Sequence, residues 1–229
     1  MKENRTTKLV IGIVLLSSFI AVLVAIFMPL FGGENALDYL DNLYNSISKG
    51  SAYYIPKVLH ELEGRATKTV SLSLDFKAAE VAERAARLLG DSGTSVSVTG
   101  TAVRAEGNLT TILRACLEDA DAAYLGRSQE LEARHGVAPR AALHAWWSAL
   151  GAMERELNRQ KLFADAQLVH TVQTKAVECA YNYYGIEARQ ISERWGTVLL
   201  SLVFYVIYTV WYGYAILFLF EGLGLRLSH

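Results

Sequence analysis

This 229-residue sequence contains only two cysteines and three prolines, and its charges nearly cancel at a net −1. Cys116 and Cys179 are far apart and form no CxxC or CxxCH spacing. Because these spacings are absent, the sequence shows no zinc ribbon, no thioredoxin-like motif and no c-type haem attachment site. One disulfide and two buried free thiols both remain open. Because no basic excess is present, we expect no nucleic acid among the partners.

Short catalytic and metal-binding motifs are also missing. No G-x-S-x-G, P-loop or GxGxxG pattern occurs. His60 lies in HELEG, but Gly64 stands where a metalloprotease has its second histidine. Glu132 and His135 form one E-x-x-H, whereas di-iron bundles need two, so a solvated helix face is expected there. The sequence therefore predicts no enzyme, no metal site and no cofactor.

Two long hydrophobic runs are the main positive signal. Residues 197–220 contain no Asp, Glu, Lys, Arg or Pro, and residues 9–31 form a second run without charge. Each run is long enough for a helix to cross the roughly 30 Å hydrocarbon layer of a bilayer. The first is longer than a signal-peptide core and is followed by no A-x-A-like site, so it is predicted to be an uncleaved anchor.

These runs divide the chain into five predicted parts. The two runs account for most of the high hydrophobic fraction of 52% and mean hydropathy of +0.21, and a length of 229 residues leaves room for one modest folded domain besides them. The parts are an N-terminal tail (1–8), a first transmembrane helix (9–31), an extramembrane α+β domain (32–196), a second transmembrane helix (197–220) and a short C-terminal tail (221–229).

Charges flanking the first run predict the orientation. Lys2, Arg5 and Lys8 precede it, so the positive-inside rule places both termini in the cytoplasm and the central domain outside. The predicted location is the plasma (inner) membrane, with a periplasmic or extracellular domain. Arg189 and Arg194 before the second run favour the opposite orientation, but the first helix usually dominates.

The β signal lies in the first half of the domain. Residues 69–76 alternate apolar and polar side chains, residues 77–89 form an alanine-rich amphipathic helix, and residues 94–105 alternate again. Gly100 is expected to make a bulge or bend within this second strand. The pattern predicts a small βαβ unit. Since two strands make a marginal sheet, helices must cover it or another subunit must extend it.

The second half of the domain is predicted to be helical. Asn108 is a candidate N-cap for a helix over 109–135. Pro139 opens an apolar stripe at steps of three and four that runs to Tyr184, a coiled-coil-like helix of about 65 Å. With no proline before the second span, this helix is expected to continue into the membrane as a stalk. The predicted fold class is α+β, mostly helical.

Two aromatic groups in this region are candidate interfaces. We expect them to pack in the core or at a subunit interface, where large aromatics dominate the contacts, with a ligand-stacking site as the alternative. They are Trp146 and Trp147, and Tyr181, Tyr183 and Tyr184.

Hydroxyl groups follow one face of the second span. Ser201, Tyr205, Tyr208 and Tyr212 recur at steps of four, three and four, with Thr209 beside them. Unsatisfied hydroxyls are costly among lipid tails, so this face is predicted to pack against another helix. Lining a pore is the alternative, although the charged rings usual in ion pathways are missing.

Together these features predict an integral membrane protein that acts as a structural or accessory subunit of an oligomeric membrane complex. Its outward-facing helical domain would make the contacts. Its expected partners are the lipid bilayer and other membrane-protein subunits or copies of itself. The alternative is a homo-oligomeric two-span channel-like protein whose Ser201, Tyr205, Tyr208 and Tyr212 face lines the pore.

Overall fold

The computed structural model describes residues 5–65 and 68–225. The protein is mostly helical (72%) with a small three-stranded antiparallel sheet. The elements, in chain order, are α1 (Arg5–Ile26), α2 (Ala36–Ser51), α3 (Ile55–Glu63), β1 (Thr69–Asp75), α4 (Ala79–Asp91), β2 (Ser95–Thr99), β3 (Ala102–Asn108), α5 (Leu109–Tyr124), α6 (Ser128–His135), α7 (Pro139–Arg159), α8 (Phe163–Val172), a π-helical turn (Gln173–Val177), α9 (Glu178–Asn182) and α10 (Ile191–Leu223).

The chain folds as two compact units. We call Met1–Ser48 with Ala188–His229 the helix-pair unit, and Lys49–Glu187 the central unit. The central unit is shorter at both ends than the predicted extramembrane domain of residues 32–196.

In the helix-pair unit, α1 and α10 lie antiparallel in close contact. A Cβ placed on Gly12 would lie 2.7 Å from the backbone nitrogen of Leu219, and one on Gly222 would lie 2.6 Å from the Cα of Leu9. Both helices are long and apolar enough to cross a membrane, and only 6% of the most apolar stretch of each is buried. A core helix of a soluble protein would be mostly buried, so these two helices favour a membrane location.

The sheet of the central unit has the order β1-β3-β2, with both outer strands antiparallel to β3. The predicted βαβ unit is therefore wrong in its last part, because residues 94–105 form a hairpin and not one strand. Thr99 pairs with Ala102 across the two-residue turn Gly100–Thr101, and Gly100 has φ +61. A positive φ at the first turn residue only is the type II′ pattern, which matches the twist of the two strands.

One face of the sheet carries the core. Val70, Leu72 and Leu74 of β1 alternate with exposed residues, and Val103 and Ala105 of β3 lie beside them on the same face. Helices α4 and α7 pack against this sheet. Each fully buried leucine of this kind contributes about 1.5–3 kcal/mol of transfer free energy.

The predicted long helix is also wrong, since breaks interrupt the helix although its apolar stripe continues. α7 ends at Arg159, and Lys161 has φ +61, which reverses the chain so that α8 packs back on α7. A π-helical turn then precedes α9, α9 ends at Asn182, and α10 begins afresh at Ile191. Between residues 139 and 223, all of which the structure describes, no continuous stalk leads into the second apolar helix.

A similar break divides the helix predicted over residues 109–135. The predicted N-cap is confirmed, because the Asn108 side chain accepts a hydrogen bond from the backbone N–H of Thr111 at 3.1 Å. The helix ends at Tyr124, and Gly126 with φ +77 turns the chain into α6. Glycine adopts this left-handed conformation without the steric cost that a Cβ would add.

Candidate functional site

The two adjacent tryptophans have different environments in the central unit. Trp146 is fully buried, and its Nε1 donates a hydrogen bond of 2.8 Å to the Asp119 carboxylate. Trp147, one residue further along α7, is 43% exposed. Trp146 is therefore part of the core, and only Trp147 is available at the surface.

Asp119 is the centre of a buried polar network. Besides the indole of Trp146, its carboxylate bonds the His135 Nε2 at 2.8 Å and the Arg134 guanidinium at 2.6 Å. His135 Nδ1 bonds the Asp91 carboxylate at 2.6 Å. His135 is thus buried and not on a solvated helix face as expected from its E-x-x-H. The network ties α4, α5, α6 and α7 together.

The surroundings of the His135 imidazole favour its charged form. Burial alone would lower the pKa of His135, but hydrogen bonds to Asp119 and Asp91 outweigh it and raise the pKa from its ordinary value. Both ring nitrogens are occupied by carboxylates, so neither is free to exchange a proton with a bound molecule. The geometry is that of a structural ion pair and not of a general base.

A shallow depression of about 380 Å³ lies on the surface of the central unit. Trp147 of α7 forms one side, and Glu178, Tyr181 and Asn182 of α9 form the other. The Trp147 Nε1 donates a 2.8 Å hydrogen bond to the Glu178 carboxylate, which joins the two sides. A carboxylate has capacity for further donors after accepting this one bond.

The π-helical turn sets the position of α9 against α7. Gln173, its first residue, is buried and donates from its side chain to the backbone carbonyl of Trp147 at 2.9 Å. Gly151 leaves the space for this amide, because a Cβ there would lie 3.0 Å from the Gln173 side-chain nitrogen. Glu178 follows the turn directly. Such turns are frequently found at functional sites.

Basic groups border the depression. The Arg140 guanidinium lies 4.9 Å from the centre of the Tyr181 ring, and the His144 ring lies 6.2 Å from that of Trp147 in a stacked arrangement. Cation–π contacts of this kind contribute about 0.5–1 kcal/mol at exposed sites. The depression thus combines exposed aromatic surface with groups of both charges.

The remaining candidate tyrosines directly follow α9. Tyr183 and Tyr184 are half-buried and pack on the core. The Lys49 ammonium donates to the carbonyls of Tyr183 and Ile186 and lies 4.9 Å from the Tyr124 ring centre. Burial lowers the pKa of Lys49. These contacts join the first residue of the central unit, Lys49, to residues near its last, Glu187.

The hydroxyl face of α10 is divided by its packing on α1. Tyr208 stacks on Phe19 of α1 with ring centres 4.3 Å apart, whereas Tyr205 is 67% exposed. Tyr212 is exposed as well, although its ring reaches Phe19 at 5.1 Å. The five predicted residues therefore do not share one environment.

Two hydroxyl groups of this face are hydrogen-bonded within the helix-pair unit. The Ser201 hydroxyl lies 2.7 Å from the Tyr44 hydroxyl and 2.8 Å from the Val198 carbonyl. The Thr209 hydroxyl donates to the Tyr205 carbonyl at 2.8 Å.

Both cysteines are free thiols, Cys116 buried and Cys179 half-buried. Burial raises the pKa of each thiol, which disfavours the reactive thiolate.

Comparisons of the chain with models of protein families, with curated proteins and with solved structures give no match.

Proposed function

We propose that this chain is an integral membrane protein that serves as a structural or accessory subunit of an oligomeric membrane complex. In this proposal α1 and α10 cross the plasma (inner) membrane as a hairpin with both termini in the cytoplasm. The central unit then faces the periplasm or the extracellular space, and it supplies contacts to other subunits.

The observation that carries the proposal is the exposed hydroxyl-bearing face of α10. At 100° per residue, Tyr205, Thr209 and Tyr212 lie within about 60° of one another around the helix. They lie beside the face that packs on α1 and remain exposed in the single chain. Among lipid tails the tyrosine hydroxyls would lack partners, whereas a neighbouring helix can bond them. A further helix packed on this face would cover both rings.

The depression on the central unit gives a second contact surface. Its Trp147 ring is 43% exposed although it is large and mainly apolar, and Glu178 has spare acceptor capacity. Aromatic residues are enriched in the centres of protein interfaces. We propose that a basic side chain of another subunit binds here, between Trp147 and Glu178.

The test is the native mass of the full chain extracted from its membrane in mild detergent. We expect an assembly heavier than one chain, and we expect Tyr205→Leu combined with Tyr212→Leu to reduce that mass. Tyr214→Leu is the matched control, since Tyr214 is also exposed but lies about 180° from Tyr205 around the helix. A chain that is monomeric before any substitution would contradict the proposal.

The channel-like alternative rests on the same exposed face. In a pore, single cysteines at Tyr205, Thr209 and Tyr212 would react with charged, membrane-impermeant thiol reagents. In a subunit contact they would be protected from these reagents. Tyr208 is not informative for this test, because its ring stacks on Phe19 within the helix pair.

A further inference from the structure

The two edges of the sheet in the central unit differ in how their backbone groups are satisfied. At β1, the Ser71 carbonyl accepts a 2.8 Å hydrogen bond from the Gln160 side chain, and the Ser73 N–H donates to the Glu156 carboxylate. Glu156 is buried, and its hydrogen bond from Arg159 lowers its pKa, so it stays a charged acceptor. The end of α7 therefore closes the β1 edge.

The β2 edge has no such cover. The backbone N–H of Leu109 bonds the Lys68 carbonyl, and that of Phe76 bonds the Thr101 carbonyl. In an antiparallel ladder these two bonds show that alternate residues of β3 bond β1 and that the residues between them face β2. The β2 residues that bond β3 are therefore Ser95, Ser97 and Thr99. The backbone N–H and C=O groups of Val96 and Val98 consequently point away from the sheet. Within residues 5–65 and 68–225 these groups have no hydrogen-bond partner.

β2 also lacks the features that usually protect an edge strand. Its sequence, SVSVT, contains no charge and no proline, and its pairing with β3 is continuous without a bulge. Val96 and Val98 lie on the core face of the sheet. Val96 packs against the core, but Val98 is 43% exposed. The edge thus offers unpaired backbone groups together with an uncovered apolar side chain.

We propose that β2 pairs with β2 of a second copy of this chain, antiparallel and symmetric about Ser97. In this register Val96 lies opposite Val98 of the second copy, and both residues use their outward N–H and C=O groups. Ser97 lies opposite Ser97 of the second copy in a non-hydrogen-bonded pair. The two three-stranded sheets then form one continuous sheet.

The pattern of β2 favours a second copy over an unrelated strand. Reversal of SVSVT about Ser97 places valine against valine on the core face and a small hydroxyl residue against another on the outer face. Apolar β-branched pairs stabilise neighbouring strands, and an uncharged strand meets its copy without like-charge repulsion. Val98 of each copy would be covered by Val96 and Val98 of the other. A self-complementary patch of this kind is what a twofold interface requires.

This inference specifies one contact of the oligomeric role proposed above and rests on that role. Its test uses the full chain in its membrane, with Cys179→Ser as background because Cys116 is already buried. We expect Ser97→Cys to give a disulfide-linked dimer on mild oxidation, since Cα atoms in a non-hydrogen-bonded antiparallel pair are about 4.5 Å apart, within disulfide reach. Ser95→Cys is the matched control. In the proposed register its two copies are separated by about 13 Å along the strands and cannot be linked.

A second substitution tests the backbone pairing. Val98→Pro removes an outward N–H and no bond of the sheet itself, so an edge strand can accommodate it. Added to Ser97→Cys, it should lower the dimer yield at least about tenfold, the factor that 1.4 kcal/mol of pairing free energy represents. Val98→Thr keeps the N–H and should leave the yield unchanged. If the proline variant does not fold, Val98→Lys gives the same test, because the two lysines would be diagonal neighbours.

The outcomes separate this inference from the proposed function. A heavy native assembly in which Ser97→Cys forms no linked dimer, or in which Ser95→Cys forms as much, overturns the β2 pairing and leaves the subunit role standing. A cross-link from the Ser97→Cys variant to a chain of different mass also overturns it, since another protein would then occupy the edge. A monomeric chain overturns both. A linked Ser97→Cys dimer that the added proline abolishes supports the pairing.

Discussion

The contacts that stabilise the helix-pair unit internally differ from those that stabilise the central unit. In the helix pair, backbones approach so closely at Gly12 and Gly222 that a methyl group could not be added without a shift. In the central unit, large apolar side chains fill the core, and a saturated polar network around Asp119 lies within it. The helix pair therefore packs through small residues, whereas the central unit packs through large ones.

The membrane location proposed for the helix pair accounts for this difference. In water, apolar surface is driven into a core, at about 25 cal/mol per Å² buried. Lipid tails are as apolar as leucine, so two helices in a membrane gain little from hydrophobic burial and depend on close packing through small residues. The polar ion pair of the helix pair, Lys8 with Glu221 at 2.9 Å, lies at the ends of the helices.

The largest effect is expected at the buried carboxylate of the central unit. Asp119→Ala leaves the buried His135 and Trp146 donors without their acceptor and the Arg134 guanidinium without its ion pair. Removing one partner of a buried charged network costs about 3–5 kcal/mol. Urea unfolding of the full chain in detergent, followed by tryptophan fluorescence, measures this loss. Glu118→Ala, at an exposed site of the same helix, should change stability by less than about 0.5 kcal/mol; equal effects would contradict the role of the network.

A smaller effect is expected at the glycine contact of the helix pair. Gly12→Leu places atoms where the Leu219 backbone lies, and overpacking of this kind costs about 1–3 kcal/mol. The helices should separate, which spin labels at the exposed positions Val10 and Leu223 would report as a longer distance. Gly213→Leu is the control, because no atom lies within 4 Å of a Cβ there. If both variants keep the wild-type distance, the close approach does not hold the pair.

The smallest effect is a pH dependence within the central unit. Because the pKa of His135 is raised in the folded state, its stabilisation is fully present below the ordinary value of 6.5 and is lost as the pH rises through the folded value. The melting temperature of the wild type should therefore exceed that of His135→Gln by more at pH 6 than at pH 9. His60→Gln changes a histidine that is 90% exposed, and its melting temperature should match the wild type at both values. A pH-independent difference at His135 would show that packing alone stabilises this site.

Local signals in the sequence predicted individual elements better than their connections. The Asn108 cap and the two apolar helices were evident because one side chain or one composition decides each of them. The hairpin at Gly100 was read as a bend, since a glycine between alternating residues suits both. The reversal at Lys161 contains neither glycine nor proline, and the apolar stripe continues through it because α7 and α8 pack in the same core.

The polar network could have been suspected from one position. Asp119 falls on the buried face of α5, at helical spacing from Ile112, Cys116 and Ala123, where a charge needs buried partners. Its partners could not be predicted, because Asp91 and His135 are distant in sequence and meet only through tertiary packing. The same holds for the depression: Trp147 and Tyr181 were both identified, but the sequence does not indicate that they face each other.

The π-helical turn at residues 173–177 makes the depression sensitive to the length of the chain. A π turn holds one more residue than an α-helical turn, and Gln173 and Gly151 accommodate it. Deleting a single residue from this turn would restore a regular helix and rotate everything after it by about 100°. Glu178 and Tyr181 would then turn away from Trp147 together, although every side chain that lines the depression would still be present. The depression is thus encoded by a count of residues as much as by their identity, and an alignment that closes this one-residue insertion would conceal it.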